Sequence, residues 1–180
     1  SFLSHQPLLF ACMRHACKIS DAELAAAFQD DEKLVELKPQ TSKSGRAFFV
    51  TSDQRFILKT LARTEADFLL EHLYTYYDHV VRFPHTLLPW HCGLYTLVDK
   101  DKGREVILVL EANAFSSQCP IHERYDLKGS VVGRMTPDHL RRGVDPILKD
   151  LDLKQRVKLG DTWRGMLLRQ LEHDCELLET

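Results

Sequence analysis

Two pairs of short apolar runs, separated by one long amphipathic segment, constrain this chain more than any other feature. The first pair is Arg46 to Thr51 and Arg55 to Leu61, joined by Ser52-Asp53-Gln54. The second is Cys92 to Val98 and Arg104 to Glu111, joined by the turn-forming pentapeptide Asp99-Lys100-Asp101-Lys102-Gly103. Runs of this length bounded by turn residues read as hairpins. The last run lacks polar alternation and reads as a strand buried on both faces. Between the pairs, Leu69, Leu73, Tyr76, Tyr77 and Val80 fall on one helical face, which predicts a helix capped at Thr64 and ending before Pro84. Adjacent strands with a helix on one side predict an α+β fold built on an antiparallel sheet, not a doubly wound parallel one.

Around this centre the signals are local. Ser20-Asp21-Ala22-Glu23 is a capping box before Leu24 and Phe28, so two short helices are expected to open the chain. Ser116 to Asp152 is mixed, and Asp161 to Leu178 returns to helical spacing through Trp163, Leu167, Leu171, Cys175 and Leu178. The longest aliphatic run, Val106 to Leu110, is far short of the ~20 residues a membrane span needs. The start is apolar without a basic leader, so neither a signal peptide nor a span is expected. Five cysteines without paired spacing favour a reducing compartment. Cys12, His15 and Cys17 read as a helix burying two thiols, and no metal site is expected. With 24 basic against 26 acidic residues, the net charge of −2 names no partner, and no nucleic acid is expected.

The residues with chemistry begin at Gly45, in the polar loop leading into the first hairpin, and Lys59, near the end of its second strand. Backbone N–H groups at a glycine turn can approach phosphate oxygens, and a strand-held lysine supplies a fixed positive charge. Gly-x-Gly-x-x-Gly, Gly-x-x-x-x-Gly-Lys-Ser/Thr, His-Arg-Asp and Asp-Phe-Gly are all absent from the sequence, which argues against protein kinases and P-loop enzymes.

A longer likeness supports a nucleotide site. The stretch from Ser44-Gly45-Arg46 to Phe56-Ile57-Leu58-Lys59-Thr60 resembles the glycine loop and lysine strand of the phosphatidylinositol phosphate kinases, most closely the phosphatidylinositol 4-phosphate 5-kinase type. Tyr76-Tyr77-Asp78-His79, Thr86-Leu87-Leu88-Pro89 and Gly93-Leu94-Tyr95 resemble that family in order and spacing. Arg124-Tyr125-Asp126-Leu127-Lys128-Gly129-Ser130 resembles its signature heptad, and Leu148-Lys149-Asp150-Leu151-Asp152 also matches. The likeness runs from about Leu34 to the end. It implies a kinase-like N-lobe, with residues 1–33 as an N-terminal helical segment and 34–180 as a partial kinase domain reaching the start of the C-lobe.

The resemblance implies the following roles. Lys59 would bind the α- and β-phosphates of ATP beneath Ser44 and Gly45, Glu111 to Asn113 would form the hinge beside adenine, and Lys128, with Asp126 near it, would face the reacting phosphate. The family aligns Asp67 with a carboxylate that orients the strand lysine. Thr64-x-x-Asp67 equally fits a helix cap, and Glu65 is then the second candidate. Arg134, Arg141 and Arg142 make the stretch 122–142 locally basic, suited to an anionic membrane surface. The departures are Arg46 after the glycine, Leu110-Glu111-Ala112-Asn113 in the hinge, and Trp90-His91-Cys92 in place of an aromatic pair. The family's Met-Asp-Tyr-Ser-Leu-Leu and Ile-Asp-Asp motifs do not occur here, so the isolated chain is expected to be inactive.

Two functions remain open at this level. The first is an ATP- and Mg2+-dependent lipid kinase acting on phosphatidylinositol monophosphate, cytoplasmic and peripheral at the cytosolic membrane face. The second is a non-catalytic pseudokinase or scaffold that pairs with active relatives as a homo- or heterodimer, or binds lipid.

Overall fold

The structure, a computed structural model, describes residues 1–29, 34–37, 46–99, 103–143 and 145–179. They form two compact units, one of Ser1–Ser116 with Met166–Thr180 and one of Ser117–Gly165.

The first unit is an antiparallel sheet in the order β1-β5-β6-β4-β3-β2. Its strands are β1 (Phe2–His5), β2 (Val35–Leu37), β3 (Phe48–Val50), β4 (Phe56–Leu61), β5 (His91–Asp99) and β6 (Arg104–Ala112). Both expected hairpins form: Phe48 faces Lys59 across β3–β4, and Asp99 faces Arg104 across β5–β6. β6 pairs with β4 on one side and β5 on the other, and its residues Ile107, Val109 and Leu110 are buried on both faces, as its unbroken apolar run predicted. The opening strand β1 was not expected. Helix α1 (Pro7–Ala16) follows it, then α2 (Asp21–Ala26), which begins with the predicted Ser20–Glu23 capping box.

Side chains alternate across the sheet, so each face has its own core. On one face Leu94, Ile107 and Val109 pack with Phe10 and Met13 of α1 and with Ala66, Leu73, Tyr76 and Val80 of α3 (Arg63–Arg82). On the other, Phe56, Leu58, Cys92 and Leu110 pack with Ala27 after α2. In α1 the residues taken into the core are Phe10 and Met13; Cys12 is exposed and Cys17 half-buried, contrary to the expectation of two buried thiols. Among the described residues no three His, Cys, Asp or Glu side chains gather into a cation-sized group. Nor is any helix among them long and apolar enough to cross a membrane.

Helix α3 starts two residues earlier than its sequence signal. The carboxylate of Glu65 accepts the N–H of Ala62 at 3.0 Å, so Ala62 and Glu65 cap the helix and the Thr64–Asp67 pattern is unused. Asp67 is exposed.

Helix α5 (Asp161–Leu178) also departs from its pattern. Trp163, Leu167, Leu171 and Leu178 are all exposed, and the buried residue is Asp174, only 4% exposed. Its carboxylate accepts from the Thr86 hydroxyl (2.7 Å), the Leu87 N–H (2.8 Å), the Gln170 amide (2.8 Å) and His79 Nε2 (2.8 Å). Burial disfavours its ionised form, but these donors, Thr86 and Leu87 foremost, outweigh that and hold the carboxyl below its ordinary range. One side chain thus ties α5 to α3 and to the turn after it.

In the second unit, β7 (Arg124–Asp126) pairs in parallel with β8 (Ile147–Lys149), followed by a 3-10 turn at Asp150–Asp152. A short helix, α4 (Asp138–Arg141), lies between them in sequence.

Asp174→Ala is expected to destabilise the first unit by about 3 kcal/mol, because it strands several buried donors at once. Urea unfolding would measure it, with the exposed Glu179→Ala expected to stay within ~0.5 kcal/mol of the parent.

Candidate functional site

Lys59 sits on the α3 face of β4, opposite Val109 of β6. Two residues along β6 on the same face is Glu111, and the Lys59 Nζ lies 2.6 Å from its Oε1. The third member is His91 of β5, whose Nδ1 lies 3.1 Å from the same oxygen. A β-bulge brings it there. Gly93 faces Leu110, but the next pairing is His91 with Glu111, so β5 carries one residue more than β6 at this point. Cys92 therefore enters the opposite core, and His91 is turned onto the Lys59 face. Gly93 is needed beside the bulge, because a Cβ there would come within 2.3 Å of the Tyr95 hydroxyl.

Tyr76 of α3 backs the group, its ring centroid 5.2 Å from that of His91 and its hydroxyl bonded to the Pro89 carbonyl. Burial opposes ionisation of Glu111, but contact with His91 and then Lys59 more than compensates, and its pKa lies below the ordinary value. Glu111 is therefore a carboxylate near neutral pH.

Lys59 opens onto a cleft of about 350 Å3. Arg46 and Lys59 give it a cationic end; Phe68, Leu69, Leu88 and Leu178 make the rest apolar. A few polar groups in an otherwise apolar recess of this size suit a small ligand. Arg46 is engaged by Glu65 at 2.6 Å.

The remaining sequence-predicted residues fall as follows. Ser44 and Gly45 lie outside the described residues. Asp67 is not the partner of Lys59, since Glu111 holds that place and the α3 carboxylate nearest the cleft is Glu65. Asn113 closes the turn after β6: its side chain donates to the Gln54 carbonyl at 2.7 Å and accepts from the Phe115 N–H at 3.0 Å. The N–H groups of Ala112 and Asn113 are donated to the carbonyls of Trp90 and Arg55, each within 2.9 Å.

Lys128 and Asp126 belong to the second unit, where the two motif blocks singled out in the sequence hold one another. Asp150 Oδ1 accepts the N–H groups of Lys128 and Gly129, both at 2.8 Å. Gly129 has φ +67°, a left-handed conformation that lets successive N–H groups converge on one oxygen. Asp150 Oδ2 accepts from Arg134 Nε at 2.6 Å, and Arg134 also bonds the Asp126 carbonyl. Arg134, 8% exposed, is thus a buried structural cation and not the membrane-facing residue its place in a basic stretch suggested. Arg141 is likewise paired, with Asp152, whose other oxygen accepts the N–H groups of Thr136 and Lys149 at 3.0 Å each. Arg142 is exposed.

With this geometry in hand, the comparisons with known proteins agree on one family. Residues 29–180 match the family profile described as Phosphatidylinositol-4-phosphate 5-Kinase, and the chain belongs to that family. It is 35% identical over 186 residues to a probable phosphatidylinositol phosphate kinase of Dictyostelium discoideum, covering 99% of this chain and 26% of that protein. It is 38% identical over 173 residues to phosphatidylinositol 4-phosphate 5-kinase 9 of Arabidopsis thaliana, covering 96% of this chain and 21% of that one. The chain therefore spans about a quarter of the length of the curated relatives it matches. The α+β architecture expected from the hairpins and from the likeness is the one the structure has.

The second unit should be acid-sensitive. The Arg134 hydrogen bond, with the Lys128 and Gly129 N–H groups, holds Asp150 well below the carboxylate range; the Thr136 hydrogen bond, with the Lys149 and Thr136 N–H groups, holds Asp152 down to about 2. Both folded-state values are depressed, so the stabilisation is complete above the unfolded value of ~4 and is lost as pH falls through the folded ones. Amide exchange of residues 124–152 should accelerate steeply between about pH 4 and pH 2. Asp150→Asn and Asp152→Asn should each flatten that dependence.

Proposed function

We propose that this chain is the ATP-binding portion of a lipid kinase that transfers the γ-phosphate of ATP to the inositol ring of a phosphatidylinositol monophosphate. The observation that carries this reading is the lysine fixed on a central strand at the mouth of an amphipathic cleft, in a chain of this family. Phosphoryl transfer asks mainly for positioning and for positive charge around an anionic transition state. Lys59 suits the α- and β-phosphates, because a rigid strand and a buried carboxylate fix its ammonium in place. Lys128 suits the reacting phosphate, because Asp150 holds its backbone while its side chain is exposed. Bound ATP would supply the phosphoryl group, and accompanying Mg2+ would offset the negative charge of its phosphates.

A second reading, a non-catalytic relative that acts by binding partners or lipid, draws support from the hinge. The Ala112 and Asn113 N–H groups that could read adenine are already satisfied within the protein.

Lys59→Met should weaken binding of a fluorescent ATP analogue at least tenfold in a variant that still melts cooperatively, at a lowered temperature because Glu111 loses its cation. Unchanged affinity in the folded variant would favour the non-catalytic reading.

The membrane role also stands as a proposal, and it now rests on Arg142 more than on its neighbours. At about 1 kcal/mol per basic residue near an anionic surface, Arg142→Ala should reduce sedimentation with phosphatidylserine vesicles roughly fivefold at low salt and little at high salt. Arg134→Ala should instead show faster amide exchange throughout residues 124–152.

A further inference from the structure

We infer that Glu111 is the positioning residue for Lys59, so that in this chain the carboxylate that orients the nucleotide-binding lysine comes from the central sheet and not from helix α3. The inference rests on the reading of Lys59 as a phosphate ligand, and it goes beyond that reading by assigning Glu111 a role other than contact with adenine.

Three observations carry it. Glu111 stands on β6 between Lys59 of β4 and His91 of β5, all three on one face, with both contacts made to a single carboxylate oxygen. The carboxylate side chain is 11% exposed and the lysine side chain 26%, so the lysine reaches the cleft while its partner is withdrawn from it. The acidic groups at the start of α3 are accounted for differently, since Glu65 caps the helix and binds Arg46, and Asp67 is exposed.

The orientation has a mechanical basis. Lys59 and Glu111 are diagonal neighbours on adjacent hydrogen-bonded strands, a separation that long side chains span. Where the lysine's partner lies on a helix, movement of that helix makes or breaks the pair. A partner on β6 cannot move relative to β4 without breaking the ladder itself. His91, held by the bulge and by the Tyr76 ring, occupies the other side of Glu111 and leaves the carboxylate one direction in which to meet a cation. His91 and Glu111 also belong to two of the three segments that depart from the family pattern, and here they are cross-strand partners.

A double-mutant cycle on the intact protein tests the inference, with affinity for a fluorescent ATP analogue as readout. Glu111→Gln is expected to weaken binding about tenfold, within the usual range for contacting pairs. In the Lys59→Met background the same change should have no further effect, because Glu111 acts only through the lysine, and Glu111→Asp should recover part of the loss. Unchanged or tighter binding by Glu111→Gln, or additive losses in the cycle, would overturn the inference while leaving Lys59 in its role. If Lys59→Met itself binds normally, the functional reading falls and the inference with it. Should Glu111→Gln fail to melt cooperatively, the paired His91→Phe and Glu111→Met change is carried through the same cycle. It replaces the buried polar pair by apolar groups of similar volume.

Discussion

Strand β6 is hydrogen-bonded along both edges and covered on both faces, and every residue of the Lys59 group is placed by reference to it. Its backbone fixes β4 and β5 on either side, so the reach from Lys59 to Glu111 and from His91 to Glu111 is set by ladder geometry. Its side chains feed both cores: Val109 and Ile107 on the α3 face, Leu110 on the other. A charged residue at its end is tolerated because two partners meet it there. An ion pair of this kind earns little net stability, since desolvation offsets most of the Coulombic gain, but it defines a direction for the lysine.

The second unit uses carboxylates differently. Asp150 and Asp152, two residues apart, gather backbone N–H groups and guanidinium groups from the loops around Lys128 and Arg134 and from the short elements α4 and β8. A three-residue parallel ladder offers few hydrogen bonds, and Leu127, Val131 and Val132 are exposed, so charge-assisted hydrogen bonds carry a share of the stability that burial supplies elsewhere. The signature heptad is thus a backbone shape imposed by a carboxylate, with the Lys128 side chain projecting from it.

Much of the first unit was legible in the sequence because its signals are periodic. Turn residues and apolar runs located both hairpins, and spacing located α3 and α5. What was not legible depends on register and partner choice. Strict counting from the β5–β6 turn would set Cys92 opposite Glu111; one extra residue in β5, with no turn signal to mark it, puts His91 there instead. The apolar pattern of α5 pointed to one face, yet the residue buried is Asp174, whose partners are 87 to 95 residues away in sequence except for Gln170. Arg134 and Arg141 read as surface charge because composition cannot say which basic residue has a carboxylate waiting for it. The strand β1 escaped notice because four residues carry too little pattern to distinguish a strand from the start of a helix.

The pairing of β1 with β5 has a consequence for how the chain reaches this state. Phe2 lies opposite Leu97, and Ser1 meets the Val98 carbonyl 97 residues further along the sequence, so β1 gains its partner only once β5 has been made. Asp174, near the other end, is needed by His79 and Thr86. The first unit is therefore assembled from segments distant in time of synthesis, whereas the second is one continuous stretch whose strand partners, such as Arg124 and Ile147, are close in sequence. Loop-closure entropy favours the local stretch first. Between the synthesis of β1 and that of β5 the first strand has no partner, which prolongs exposure of an unpaired strand to aggregation as a cost of the topology.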